Sequence, residues 1–368
     1  MKVVARKADL VNALGTVNKA VSTRSSIQVL SGVFLEAKAE GCHLAATDME
    51  ISIKAPLDAQ VEEPGAVVLP ARIATDIARN LPREEVVIEQ KPGESQVEVR
   101  SGESQFMLQS LPAADFPQLP VFPQESAFTL GKKGFLETVD RVSSSASRDE
   151  TRPVLTGVLM HVTKTSVKMV ATDSYRLSVK ETEIDTGVEE RLEAIVPARS
   201  LQELSRIGAG SDAETISVVA TENQILFDIG GVGLSSRLID GQFPNYQQLL
   251  PDSFDHEVVM GRDELGDVVR RVGLLAQRNA PIRLRFEEGT LTVSAESQDV
   301  GRAREAVPVR YQGDVIEIGF NPEFLQAGIA AVAADEVRMK FISPLRPALL
   351  SGEDDDFLYL IMPIRLND

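Results

Sequence analysis

The chain repeats itself at domain length. Leu44-Ala-Ala-Thr-Asp48 returns 125 positions later as Met169-Val-Ala-Thr-Asp173, and Val68-Leu-Pro-Ala-Arg72 returns 127 positions later as Ile195-Val-Pro-Ala-Arg199. Leu30-Ser-Gly32 and Leu155-Thr-Gly157 form a third pair, and the Phe-Pro of Asp115-Phe-Pro117 recurs in Asp240-Gly-Gln-Phe-Pro244. Four markers in one order at near-constant spacing exclude shared composition as their source. A weaker third copy fits the remaining length: Ile318-Gly-Phe-Asn-Pro322 follows at a similar interval, and Ile361-Met-Pro363 stands where Phe-Pro closed the others. A period of about 20–50 residues makes a solenoid; this one makes three copies of a whole domain, over residues 1–120, 127–245 and 252–368.

Each copy reads as a short strand, a helix, alternating strands, a second helix and more strands, an α+β class with two helices packed on antiparallel sheet. The first helices are marked by Leu10, Leu14, Val17 and Val21, by Leu136, Val139 and Val142, and by Leu265, Val268, Val269 and Val272. The second helices follow Pro-Ala-Arg over Ile73 to Leu81 and Leu201 to Ile207, and follow Asn321-Pro322 over Phe324 to Val332. Proline is expected in the first turn, where its missing N–H has no intrahelical partner, and Asn321 is expected to cap the last of them. Pro-rich stretches at Leu111 to Gln124 and Gly241 to Asp252 separate the copies.

The net charge is −17, yet basic residues gather on the helices: Arg6, Lys7, Lys19, Arg24, Arg72 and Arg79 in copy one, Lys132, Lys133, Arg141, Arg148, Arg199 and Arg206 in copy two, and Arg262, Arg270, Arg271 and Arg278 in copy three. Net charge describes long-range repulsion rather than any one face, so the pattern predicts a shared basic surface inside an acidic shell. The single Cys42 permits no intrachain disulfide. Met1-Lys-Val-Val-Ala-Arg-Lys7 lacks a signal peptide's apolar stretch, and no run has the roughly 18 apolar residues of a membrane span. A cytoplasmic protein with no membrane partner is expected.

The chemistry of an enzyme is missing from the pattern. His43, His161 and His256 stand singly on strand-like segments, so neither a metal site nor a histidine triad is expected, and no cofactor is implied. Thr47-Asp48 and Thr172-Asp173 occupy the same place in each copy, which suits a structural Asx turn better than a catalytic carboxylate. Gly230-Gly-Val-Gly233 lies between two strand-like segments and reads as a hairpin turn, not a phosphate loop.

Five segments then carry a family resemblance along essentially the whole chain: Leu111-Pro-Ala-Ala-Asp-Phe-Pro117, Ala171-Thr-Asp-Ser-Tyr-Arg-Leu177, Leu238-Ile-Asp-Gly-Gln-Phe-Pro244, Ile316-Glu-Ile-Gly-Phe-Asn321 and Met362-Pro-Ile-Arg-Leu366. They resemble the bacterial DNA polymerase III beta subunits, the sliding clamps. The resemblance implies a head-to-tail homodimeric ring with helices lining a hole for double-stranded DNA and sheets on the rim. Its partners would be the DNA polymerase III alpha subunit, the clamp loader delta subunit and other proteins carrying a clamp motif.

By family position, Arg24, Arg72, Arg148 and Arg199 would face DNA and the loop from Arg148 to Val154 would border it, although in that loop Pro153 and Val154 replace aromatic residues found in some members. The apolar pair Phe106 and Leu108 on an edge strand would meet Leu274 and Leu275 of the next chain. A peptide cleft would be lined by Arg152, Leu155, Thr172, Ser174, Tyr175, Arg176 and Leu177, with Pro244, Gln248 and Leu249 opposite. Asn321, Phe324, Leu345 and Pro347 would add to it, as would Leu360, Ile361, Met362, Pro363, Ile364 and Arg365. The arginines would hold peptide carbonyls or acidic groups, and Met362 would repack around different ligands. Gln248 stands where a basic residue is common, and Asn367-Asp368 extend the tail. Two rivals stay open: a clamp-like peptide-binding scaffold that does not encircle DNA, and a nuclease or transferase, which the lack of a clustered acidic or histidine site disfavours.

Overall fold

The computed structural model describes residues 1–368 except 23–24, 122, 124–126, 190, 277–279, 298, 354–355 and 367–368. Arg24, Arg278 and the Asn367-Asp368 tail therefore lie outside the described residues. The chain forms two compact units, one of Met1–Lys132 with Glu203–Leu238 and one of Lys133–Gln202 with Ile239–Asp368. The second copy of the repeat is shared between them.

In the first unit, β1 (Lys2–Arg6), β5 (Ala59–Glu63), β7 (Glu85–Glu89), β8 (Gln96–Ser101) and β9 (Ser104–Gln109) make an antiparallel sheet in the order β5-β1-β7-β8-β9. The other sheet runs β10-β15-β16-β17-β4-β3-β2-β6. It joins β2 (Gly32–Lys38), β3 (Gly41–Thr47), β4 (Ile51–Leu57) and β6 (Gly65–Pro70) to β10 (Phe128–Gly131), β15 (Thr215–Ala220), β16 (Gln224–Ile229) and β17 (Val232–Arg237) of the second copy. The joint is the pairing of β17 with β4, from Gly233 against Lys54 to Ser236 against Ile51. Gly230 and Gly231, both at positive φ (59° and 85°), make the tight turn between β16 and β17, as the glycine-rich sequence predicted.

The second unit repeats this device. β11 (Gly157–Val162), β12 (Ser166–Thr172), β13 (Arg176–Glu183) and β14 (Leu192–Pro197) share a sheet with β18 (His256–Gly261), β23 (Glu336–Phe341), β24 (Ala348–Ser351) and β25 (Phe357–Ile361), and β13 pairs with β25 at the joint. A smaller sheet has the order β21-β20-β19-β22, from β19 (Ile282–Glu287), β20 (Thr290–Ser297), β21 (Gly301–Pro308) and β22 (Ile316–Phe320). In both joints the last strand of one copy pairs with the strand that follows the Thr-Asp turn of the copy before it.

The helices are α1 (Lys7–Val17), α2 (Ala71–Asn80), α3 (Lys132–Ser143), α4 (Ala198–Ala209), α5 (Arg262–Gly273) and α6 (Pro322–Ala331). The predicted apolar stripes of α1, α3 and α5 are buried, except that Val21 lies past α1 in extended chain. Pro70 and Pro197 correct one expectation. Each ends a strand, and the helix begins at the following alanine, so of the three prolines expected to open second helices Pro322 alone occupies the first helical turn.

The repeated glycines have a common cause. A Cβ on Gly32 would stand 2.3 Å from a Val68 methyl, and one on Gly157 would stand 2.4 Å from an Ile195 methyl. Val68 and Ile195 are themselves equivalent positions of the repeat, so both of these copies need a side chain of hydrogen where the two strands meet. Among the described residues no helix is long and apolar enough to cross a membrane.

Candidate functional site

The Thr-Asp marker is a turn built identically in both copies. Thr172 donates its hydroxyl to the Arg176 carbonyl (2.6 Å), and Asp173 Oδ1 accepts from the N–H groups of Tyr175 and Arg176 (2.9 and 3.0 Å). Thr47 donates to the Ile51 carbonyl (3.0 Å), and Asp48 Oδ1 accepts from Glu50 and Ile51 (3.0 and 2.8 Å). The residue after each aspartate lies in the left-handed region, Met49 at φ 77° and Ser174 at φ 80°. Side chains that usually avoid this region are held there by four hydrogen bonds per turn, counting Thr Oγ1 accepting from the same residue's N–H. The predicted structural role of the pair stands.

In the second unit this turn borders a hydrophobic cluster. Leu159, Val170, Leu177, Val179, Ile195, Leu349 and Leu360 are buried, and Val154, Phe243, Tyr246 and Leu250 pack against them. Around the cluster, large apolar side chains stand open: Tyr175 (62% exposed), Leu345 (63%), Leu249 (49%) and Met362 (42%). The closing segment is tied down beside them, with Met362 N–H donating to the Tyr175 carbonyl (2.8 Å) and Ile364 N–H to the Gly319 carbonyl (2.7 Å). Gly319 permits that approach, since a Cβ there would lie 2.6 Å from Leu366.

The structure brings together most of the predicted cleft residues and sorts them by role. Leu155, Thr172, Leu177 and Leu360 form the buried floor, while Pro244, Gln248, Leu249, Leu345, Met362 and Arg365 are exposed. Pro347, Pro363 and Ile364 are half-buried, and Ile361 is fully buried in the third copy's core rather than open to the cleft. Arg176 differs most from expectation. Its guanidinium stacks on the Phe324 ring at 4.5 Å, Nε donates to Asp173 (3.0 Å) and Nη2 to the Ser144 carbonyl (2.6 Å), so it braces the site rather than waiting for a ligand. Phe324 is fixed in turn, because Asn321 caps α6 by accepting from Glu323 and Phe324 N–H, and the Tyr359 hydroxyl donates to the Phe324 carbonyl (2.7 Å). Burial pushes that phenol up to about 12. Arg152 bonds Asp149 and Ser174 (3.0 and 3.1 Å) from an exposed position.

Phe243, Tyr246 and Leu250 belong to the cluster although the sequence reading left them out. Phe243 carried a visible signal as the repeat partner of Phe116, which packs with Leu30 and Val68 in the first unit. Val154 turns inward onto the cluster, within 2.8 Å of where a Gly241 Cβ would stand, and so does not offer itself outward beside Arg148.

The basic helices separate in the same way. Arg72, Arg148 and Arg199 are exposed. Other members of the expected basic surface are used internally. Arg141 is buried, donates Nε to the Ala331 carbonyl (2.6 Å) and lies over the Phe357 ring. Lys132 bonds the Gly208 and Ser211 carbonyls, Arg262 those of Val332 and Ala333, and Arg271 makes a two-pronged pair with Glu305.

Of the four residues expected at an interface, Phe106 and Leu274 are exposed (37% and 71%), Leu275 is half-buried against the third core, and Leu108 is buried at 7%. Met107, 48% exposed on the same strand, was missed. Both β9 and β21 are edge strands of their sheets. Among the described residues no group of three or more His, Cys, Asp or Glu side chains could hold a metal ion.

Comparison with known proteins accounts for this arrangement. Residues 1–120, 129–245 and 247–365 match the N-terminal, central and C-terminal domains of the DNA polymerase III beta subunit. The beta sliding clamp of Streptomyces coelicolor is 34% identical over the whole of both chains, and that of Bacillus subtilis 30% identical over 99% of this chain and all of its own. Among solved structures, the Bacillus subtilis DNA polymerase sliding clamp superposes with a TM-score of 0.92 at 30% identity, covering both chains fully. The Pseudomonas aeruginosa sliding clamp bound to griselimycin does so at 0.89, again with 30% identity and full coverage. With three domains in order and full-length similarity, the chain belongs to the DNA polymerase III beta subunit family, the bacterial sliding clamps.

Proposed function

We propose that two copies of this chain close head to tail into a ring around duplex DNA and tether the replicative polymerase, which makes it a processivity clamp without catalysis, cofactor or metal. The strand pairing carries the reading. β17 joins β4 and β25 joins β13 by one rule. Applied once more, that rule leaves β9, the last strand of copy one, to pair with β21 of copy three in another chain. Both are bare edges, which sheet proteins normally cover or blunt. Domain limits at residues 1–120, 127–245 and 252–368 suit six such units in a ring.

A ring is retained by topology, so its phosphate contacts need not be strong. Exposed Arg72, Arg148 and Arg199 suit such contacts, which release counterions without reading bases. This reconciles a DNA partner with a net charge of −17. Loaded on nicked circular DNA, the protein is expected to survive a high-salt wash and to fall off when the circle is linearised. Equal loss from both forms would favour a scaffold that does not encircle DNA.

The cleft in the second unit supports docking of short linear peptides with Leu or Phe anchors, such as those of the polymerase alpha subunit and the clamp loader delta subunit in a cytoplasmic replication machinery. Burying one Leu side chain contributes roughly 1.5–3 kcal/mol. Leu249→Ser with Met362→Ser, both at exposed positions, should weaken an apolar-anchored peptide by about tenfold or more in calorimetry while leaving the melting temperature nearly unchanged. Unaltered affinity would move the docking site elsewhere.

A further inference from the structure

The first unit contains the same cradle a second time. The connector enters alike in both, with Leu111 N–H donating to the Val68 carbonyl and Ile239 N–H to the Ile195 carbonyl, each at 2.9 Å. The crossing strand is also fixed alike, since Arg237 N–H donates to the Glu50 carbonyl (3.0 Å) just as Met362 N–H donates to Tyr175. Strand register makes the side chains comparable one by one. Ser52 stands where Leu177 stands, Ser235 where Leu360 stands, Glu50 where Tyr175 stands and Arg237 where Met362 stands. The backbone of the cleft has been kept while its apolar lining has become polar.

A groove remains there. A cavity of about 100 Å³ lies among Thr47, Met49, Gln224, Ser235 and Arg237, with Glu50 on its rim. It shares Ser52, Leu119, Pro120 and Ser235 with a neighbouring cavity of about 310 Å³ that continues along β4 and β17 past Lys54. The smaller pocket has room for one polar side chain, and the larger one for the residues next to it. Arg237 and Glu50 line the same small space, yet among the described residues neither side chain has an ion-pair or hydrogen-bond partner. Held apart, they complement a ligand with the opposite dipole.

We infer that this groove is a second docking site, for a linear peptide that places an acidic side chain toward Arg237 and a basic one toward Glu50. Exposed Met49 supplies an adaptable contact beside them. Only the choice of a peptide as ligand rests on the reading of the cleft in the second unit; the charges and the groove stand apart from it.

The test uses the full-length protein and an array of hexapeptides in an alanine–serine background, with every residue pair at the two central positions. Apolar pairs should bind and lose binding with Leu249→Ser and Met362→Ser. Pairs of one acidic and one basic residue should also bind, keep binding to that variant, and lose it about tenfold with Arg237→Ala. Arg237→Glu should shift the preference toward basic residues, an outcome that unfolding does not produce. If mixed-charge pairs fail to bind, or bind equally to wild type, Arg237→Ala and Arg237→Glu, the second site is refuted. If instead the apolar pairs alone fail, the cleft reading falls and the groove stands.

Discussion

If the proposed ring forms, Leu274→Glu together with Leu275→Glu will sediment as a folded monomer under conditions where the unaltered chain sediments as a dimer. Leu274 is 71% exposed directly after α5, a large apolar side chain with little cover from the described residues of its own chain. Under a neighbouring chain it would contribute roughly 1.5–3 kcal/mol, and a carboxylate in its place would have to be desolvated without a partner. A two-membered head-to-tail ring contains this contact twice, because closure repeats the same heterologous interface. At about 3 kcal/mol per interface the ring loses about 6, roughly twenty-thousand-fold in dissociation constant. Leu275 packs against the third core, so Leu274→Glu alone gives the cleaner version, with most of the effect and little loss of fold. A dimer unchanged by either variant would refute the pairing of β9 with β21.

Gly157→Val will cost about 3 kcal/mol of folding stability, whereas Gly15→Ala will add about 1 kcal/mol. The first places carbon 2.4 Å from Ile195 Cγ2 and 2.9 Å from Ile239 Cδ1, between strands whose register is fixed on both sides. Neither neighbour can retreat far in a packed interior. The second glycine lies inside α1 with nothing within 4 Å of the Cβ it would gain, so only the reduced backbone freedom of the unfolded chain changes. Chemical denaturation of both variants measures the contrast. A tolerated Gly157→Val would mean that the repeated glycine marks something other than close strand contact.

What the sequence disclosed follows from which forces are local. Helix stripes such as Leu265, Val268, Val269 and Val272 depend on spacing alone, and the Thr-Asp turns are closed within five residues, so both were legible. Side-chain direction toward distant partners was not. Arg141 looked like any basic residue on a helix face, but its acceptor at Ala331 lies 190 positions away. Arg176 looked ready for a ligand until Phe324, Asp173 and Ser144 were seen to occupy it. Phe106 and Leu108 share one face of β9 and Met107 points from the other, so alternation alone did not show that Leu108 is covered while Phe106 and Met107 are open. The prolines of Pro-Ala-Arg were placed one step too far into their helices because a strand end and a helix start use the same residue.

The sharing of the second copy between two sheets bears on how such a chain could arise. If cut out by its own boundaries, that copy would lose β25 from the side of β13 and β4 from the side of β17. It would be left with two complementary bare edges, each the natural mate of the other on an identical neighbour. An ancestral single-copy protein with those edges would have assembled from separate chains, with ring size and filament growth both at the mercy of concentration. Fusing three copies in one gene fixes half of a six-membered ring within each chain, and it turns most of the joints from encounters between molecules into steps of folding.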